Sequence, residues 1–197
     1  MSRLSAARLM RIVAGAYRGK KLRAPEGPDL RPTSDRARES VFNILAHGKA
    51  AMDLDGITVL DLFCGTGAMG LEAMSRGAAR GIFIDNSAGS LKLARENAAA
   101  MGVWRQCLML SLDGAHLPTP PRAAKVPVDL AFLDPPYEQN LVPPALLALS
   151  ARGWLKPGGL MVAEVSAKEA IEPPRGIELL DERTYGAAKV YFLKRLE

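Results

Sequence analysis

Ile57-Thr58-Val59-Leu60-Asp61-Leu62, followed by Phe63-Cys64-Gly65-Thr66-Gly67-Ala68-Met69-Gly70, reads as a buried strand turning sharply into a helix. Four of the first six residues are apolar, Thr58 and Asp61 being the exceptions, as in a strand covered on both faces. The glycines let the backbone fold tightly and leave the first N–H groups of a helix, expected near 68–76, pointing into a cleft. The same alternation continues outward. Strands are expected at 81–85, 107–110, 128–133 and 160–165, and helices at about 87–101 and 141–151. Two further strands, about 177–183 and 188–195, have no helix between them and predict a hairpin, one strand antiparallel at or near a sheet edge. Upstream, Ala37, Val41, Ile44 and Leu45 make the apolar stripe of a helix over roughly 35–46, with Ser34 as N-cap and Asp35 in the first turn. Residues 10–14 and 20–23 predict a short hairpin around Gly15 and Gly19. The expected fold is α/β, a mostly parallel sheet with helices on both faces.

At 197 residues the chain can bury one core without disulfide or metal staples. Two cysteines, Cys64 and Cys107, and two histidines, His47 and His116, exclude a disulfide scaffold and a zinc cluster and fit a reducing cytosol. No apolar run is long enough to span a membrane as a helix. The net charge of +5 is unevenly placed: residues 1–50 hold 11 Lys/Arg against 4 Asp/Glu, and the remainder 15 against 17. Arg8, Arg11, Arg18, Lys20, Lys21 and Arg23 stand in a stretch with no acid at all. Such a cluster is a footprint for a polyanion, most often nucleic acid; the plainer alternative is a solvated basic arm. A transit segment is also arginine-rich, but this stretch runs straight into patterned strand and helix sequence. Met10 is an alternative initiator, which would leave residues 1–9 as an extension.

Gly65, Gly67 and Gly70 satisfy G-x-G-x-x-G, so a dinucleotide site has to be weighed. Asp61, at the end of the preceding strand, would repel a pyrophosphate and suit a cationic amino-acid group. Asp85 ends the next strand, where a carboxylate takes two hydrogen bonds from ribose hydroxyls; it serves NAD or S-adenosylmethionine equally. Asp113-Gly114, after the third strand, is a weaker signal: an acceptor for an adenine amine, or a solvated turn.

Asp134-Pro135-Pro136-Tyr137 closes the fourth strand, on the edge where open α/β sheets bind ligands. A base's exocyclic amine is a poor nucleophile because its lone pair is delocalised into the ring. Asp134 and the Pro135 carbonyl can both accept its hydrogens and push it toward tetrahedral geometry. The prolines stiffen the loop and remove competing N–H donors. Tyr137 can stack on a base, worth about 1–3 kcal/mol.

Taken with Arg11-Ile12-Val13-Ala14-Gly15, Arg18-Gly19-Lys20-Lys21-Leu22, the run Arg31 to Asn43 and Tyr185-Gly186, these motifs resemble the RsmD family of 16S rRNA guanine-N2 methyltransferases. The likeness covers nearly the whole chain from Met10. It implies a class I methyltransferase, Rossmann-like, with a seven-stranded sheet, S-adenosyl-L-methionine as cofactor, and a guanine on a small-subunit assembly intermediate as target. Residues 1–50 would be a basic RNA-binding extension and 51–197 the methyltransferase domain. By the resemblance, Asp61, Cys64, Gly65, Thr66 and Gly67 line the methionine end of the cofactor, with Cys64 read as packing. Asp85 and Asn86 take the ribose, and Asp113 and Gly114 the adenine. Many relatives carry Glu where Asp85 stands. Asp134, Pro135, Pro136 and Tyr137 hold the guanine. Arg11, Arg18, Lys20, Lys21, Arg23, Arg31, Thr33, Arg36 and Arg38 fall to the RNA or the cofactor mouth. Rival readings are an adenine-N6 DNA methyltransferase, a non-catalytic RNA-binding assembly factor and a nicotinamide oxidoreductase. A cytoplasmic monomer is the default.

Overall fold

The computed structural model describes residues 10–24 and 35–197. Arg31, Thr33 and the expected cap Ser34 lie outside the described residues. A two-stranded hairpin comes first, β1 (Met10–Arg11) against β2 (Lys21–Leu22), antiparallel with Met10 opposite Leu22. Its strands are shorter than expected. Between them, Ile12 and Gly19 exchange backbone bonds with Lys20 and Ile12, and the rest is turn. Helix α1 (Asp35–His47) follows.

The main sheet is built from β3 (Thr58–Leu62), β4 (Arg80–Asp85), β5 (Cys107–Ser111), β6 (Val128–Leu133), β7 (Leu155–Ser166), β8 (Ile177–Tyr185) and β9 (Ala188–Arg195). Its order is β5-β4-β3-β6-β7-β9-β8. The first five strands run parallel, and β9 is antiparallel to both β7 and β8. β9 therefore lies inside the sheet and β8 forms the edge. Strand β7 starts five residues before the expected position. Pro157-Gly158-Gly159 reads as a break, but the strand passes through it as an irregularity, Val128 pairing with Leu155 and Leu130 with Leu160.

Alternation along the strands builds two cores. Val59, Phe83, Phe132 and Val162 point to one face, covered by α1, α2 (Ala68–Ser75) and α3 (Ala88–Met101). Leu60, Ile84, Leu133 and Ala163 point to the other, covered by α4 (Val142–Ala151) and the turns around Leu117 and Ala124. Met10, Ile12 and Leu22 of the hairpin are buried in the first core. The described part of residues 1–50 thus shares a core with the sheet. Among the described residues no helix is long and apolar enough to cross a membrane.

The hairpin is fastened to α2 by a buried polar cluster. Glu72, wholly buried, accepts the Val13 and Ala14 N–H groups at 2.8 and 3.0 Å and the Arg76 Nε–H at 2.8 Å. Its other neighbour is Arg38, whose Nε lies 3.5 Å from Glu72 Oε2 and whose Nη2 donates to Asp35 and to the Arg11 carbonyl. Arg38 is 0% exposed, so it does not meet RNA as expected from the resemblance; it is a strut joining α1, the hairpin and α2. Gly15 makes the approach possible. It has φ +82°, and a Cβ there would sit 1.9 Å from the Ser75 carbonyl oxygen. Ser75 in turn donates to the Ala14 carbonyl and accepts from the Tyr17 N–H.

Candidate active site

The carboxyl ends of five neighbouring strands all carry an acid. In the order β5, β4, β3, β6, β7 these are Asp113, Asp85, Asp61, Asp134 and Glu164. Asp61, Asp134 and Glu164 sit on strand positions of the same parity as Val59, Phe132 and Val162, so they share the face covered by α1 and α2.

The glycine loop is tied down by two of these acids. Asp61 Oδ2 accepts the Gly70 N–H at 2.9 Å, inside the first turn of α2. Asp85 Oδ2 accepts the Gly65 N–H at 3.0 Å and its Oδ1 the Ser87 N–H at 2.8 Å. Gly65 has φ +51°, and a Cβ built on it meets nothing within 4 Å, so this turn of the loop borders open space. Phe63 holds a left-handed φ of 61°, rare for a side chain of its size. Its ring lies against Gly114, where a Cβ would be 2.7 Å away, and so couples the glycine loop to the Asp113 turn. Asp113 caps that turn, accepting the Ala115 N–H at 2.9 Å and pairing with His116 Nδ1 at 2.8 Å. The His116 bond leads the causes that hold the Asp113 carboxyl below its ordinary range.

Burial dominates the chemistry of Asp61. Its pKa is pushed from 3.8 to about 7, first by burial and further by Asp85, against the lowering effect of the Gly70 N–H. Cys64 is buried beside these acids; burial, then Asp61 and Asp85, push its thiol far up, so it stands as a packed thiol. A carboxyl whose folded pKa is raised contributes stability that is fully present below about pH 4 and is lost as pH rises through 7. Asp61→Asn keeps an acceptor for Gly70 and removes the ionisation. Wild type should therefore lose about 2–3 kcal/mol relative to Asp61→Asn between pH 5 and pH 8. Urea unfolding of both proteins at the two pH values measures it; parallel behaviour would show that the Asp61 pKa is not raised on folding and that the carboxyl is already ionised at pH 5.

At the other end of the row, Leu133 pairs with Ala163, which makes Asp134 and Glu164 the next neighbours in register. The Tyr137 hydroxyl donates to Glu164 Oε1 at 2.6 Å. Two open recesses meet here. One is lined by Val41, Met69, Asp134 and Glu164, the other by Pro135, Pro136, Tyr137 and Glu164. Asp134 and Tyr137 thus border different recesses, and Glu164 is common to both. Glu164 was not singled out from sequence. Its signal was a lone acid at the end of the apolar run Leu160-Met161-Val162-Ala163, the same signature that marks Asp61 and Asp85.

The model of a family described as "Conserved hypothetical protein 95" matches residues 10–194. Ribosomal RNA small subunit methyltransferase D of Escherichia coli K12 is 34% identical over 163 residues, 82% of this chain and 77% of that one. Its namesake in Haemophilus influenzae is 32% identical over 90% of this chain and 89% of the other. The chain belongs to the RsmD family. The solved structure of yhhF from Escherichia coli superposes with a TM-score of 0.79 at 30% identity, covering 95% of this chain and 98% of that one. This RsmD-family protein is accordingly a methyltransferase with the class I α/β fold.

In this RsmD-family member the basic arm stands beside the glycine loop. Asn97 on α3 accepts the Arg23 N–H at 2.8 Å and donates to the carbonyls of Arg23 and Thr66. The Thr66 hydroxyl donates to Met10 Sδ. Arg11, Arg18, Lys20, Lys21, Arg23 and Arg36 are exposed. Arg11 pairs with Asp35 at 3.3 Å and Arg23 with Glu96 at 2.9 Å, both with the guanidinium open to solvent. Tyr185 meets Ser40 of α1 through its hydroxyl at 2.8 Å, which ties the β8–β9 hairpin to the same rim. Asn86 is exposed beside Asp85.

Proposed function

We propose that this protein transfers the methyl group of S-adenosylmethionine to the exocyclic N2 of a guanine in 16S rRNA, working as a cytoplasmic monomer on a small-subunit assembly intermediate. The observation that carries the reading is the row of five acids along one sheet edge, bordered by an exposed basic arm fastened to the glycine loop. An acidic crevice repels a pyrophosphate and favours a cationic donor, while the arm offers phosphates their counter-charge. The names of the Escherichia coli and Haemophilus influenzae relatives, both small-subunit rRNA methyltransferases, support the same substrate.

The residues present fit the cofactor. Open space borders Gly65, with Asp61 and Asp85 beneath the loop and Asp113 one strand further on. Asp61, Gly65, Thr66 and Gly67 would hold its methionine end, with Cys64 packed behind them, Asp85 and Asn86 its ribose, Asp113 and Gly114 its adenine. When bound, it supplies a methyl group made electrophilic by a sulfonium. The chain's own residues do the rest. Asp134 and the Pro135 carbonyl hold the amine hydrogens, Tyr137 packs on the base, and the target is taken out of its stack to reach them. Arg11, Arg18, Lys20, Lys21, Arg23 and Arg36 hold the RNA backbone outside the crevice.

Incubating the purified protein and labelled S-adenosylmethionine with small-subunit particles from cells lacking it, then analysing nucleosides, tests the reading. Label in N2-methylguanosine of 16S rRNA is expected, mapped to one nucleotide; label in N6-methyladenosine or in DNA would replace the reading. Reversing charge at Lys20 and Lys21 together should weaken RNA binding and lower the slope of log affinity against log salt by about 2. An unchanged slope would remove these two lysines from the interface.

A further inference from the structure

Glu164 stands next to Asp134 in register, borders both recesses and accepts a hydrogen bond from Tyr137, yet nothing in the transfer step as described so far uses it. It projects from β7, a strand bonded on both sides, which fixes its position far better than a loop would. Neighbouring strands lie about 4.8 Å apart, so two acids in register at adjacent strand ends can meet two adjacent groups on one base edge. Guanine presents such a pair: the N2 amine and, beside it, the N1–H, both donors. Adenine presents its N6 amine beside an N1 that carries a lone pair. A carboxylate only accepts, so beside Asp134 it attracts the first edge and repels the second.

We infer that Glu164 is the residue that selects guanine, accepting the N1–H while Asp134 accepts from N2. The inference rests on the guanine-N2 reading above and deepens it. A carboxylate has about four acceptor positions, more than one phenol uses, so the Tyr137 bond and the N1–H bond are compatible. The Tyr137 bond then has a purpose of its own: it holds the carboxylate in the plane where the base edge arrives. Because the site presents an acceptor to a donor on the base, a base that turns a lone pair to that position sets acceptor against acceptor, and rejection is strong.

2-Aminopurine separates this role from others, because it keeps the N2 amine but has a lone pair in place of the N1–H. The experiment compares 16S rRNA fragments carrying guanine or 2-aminopurine at the mapped nucleotide, with wild type and Glu164→Gln, reading kcat/KM for methyl transfer and cofactor affinity by calorimetry. Wild type should prefer guanine by on the order of 10³-fold. Glu164→Gln offers an amide that donates to the lone pair. It should lose about 10²-fold on guanine and bring the two substrates within about tenfold of each other, with cofactor affinity unchanged. Equal losses on both substrates would overturn the inference, since Glu164 would then only support Tyr137. Wild type using both bases alike overturns it without any variant, whether or not Glu164→Gln folds. If wild type methylates the N2 of neither fragment, whether free or assembled with small-subunit proteins, the guanine-N2 reading itself fails and takes this inference with it.

Discussion

Asp134→Ala is expected to lower single-turnover methyl transfer by about 10³-fold while the affinity for S-adenosylmethionine stays within about twofold of wild type. The first figure follows from what the amine lacks. Its lone pair is conjugated with the ring, so attack requires the nitrogen to pyramidalise, and the acceptors that hold its hydrogens favour that geometry over the planar one. The interaction therefore strengthens on the way to the transition state, and its loss falls on kcat. In the proposed reaction Asp134 would also receive the departing proton: once the methyl has arrived the nitrogen is cationic and acidic, and a carboxylate can accept that proton. The second figure follows from position. Asp134 follows β6, whereas the glycine loop follows β3 and is held by Asp61 and Asp85. Asp134 is joined to β3 by its backbone N–H, which donates to the Leu62 carbonyl at 3.4 Å, a bond that truncating the side chain leaves in place. Rapid-quench turnover and calorimetry on the same preparation check both halves. Turnover within tenfold of wild type would place the reacting nitrogen elsewhere.

The fold was largely legible because its signals are local. Strand β3 and helix α2 follow from a continuous apolar run and a glycine turn; β8 and β9 follow from two strand patterns with no helix between them. The exception, β7, shows the limit: Pro157-Gly158-Gly159 carries the chemistry of a turn, but pairing with β6 on one side keeps the chain extended beyond it. Of the site, the acids at strand ends were legible wherever a motif surrounded them, as at Asp61, Asp85 and Asp134. Glu164 carries the same mark without a motif and passed unnoticed. What sequence could not give was partnership across long separations. Arg38 looks like one more cation of the basic arm. Its burial depends on Glu72, 34 residues away, whose own place inside an apolar helix run gives no hint of the hairpin it holds.

That partnership sets the second large effect. Glu72→Ala should destabilise the protein by about 3–5 kcal/mol, because it removes the wholly buried one of the two counter-charges of Arg38, leaving Asp35, and strands two backbone N–H groups, those of Val13 and Ala14. Against a typical total of about 5–15 kcal/mol this is a large share. The damage should begin at the hairpin. Its other attachments include the Ser75 bonds to Ala14, Ala16 and Tyr17, the Asn97 bonds to Arg23 and the Arg38 bond to the Arg11 carbonyl, with three apolar side chains, Met10, Ile12 and Leu22, in the core. Residues 10–24 should therefore become open to protease and exchange their amides at denaturant concentrations that leave the sheet protected. Since Asn97 and Thr66 connect the hairpin to the glycine loop, RNA affinity should fall with the arm's attachment, and cofactor affinity should fall with it to a smaller degree. Replacing Arg38 and Glu72 together by Met and Leu distinguishes charge from packing. The double variant should recover much of the lost stability, as buried ion pairs often do when both partners become apolar, but not the bonds to Val13 and Ala14, so the hairpin should still open early. A Glu72→Ala protein that unfolds within about 1 kcal/mol of wild type, with its hairpin equally protected, would mean that apolar contacts alone hold the arm in place.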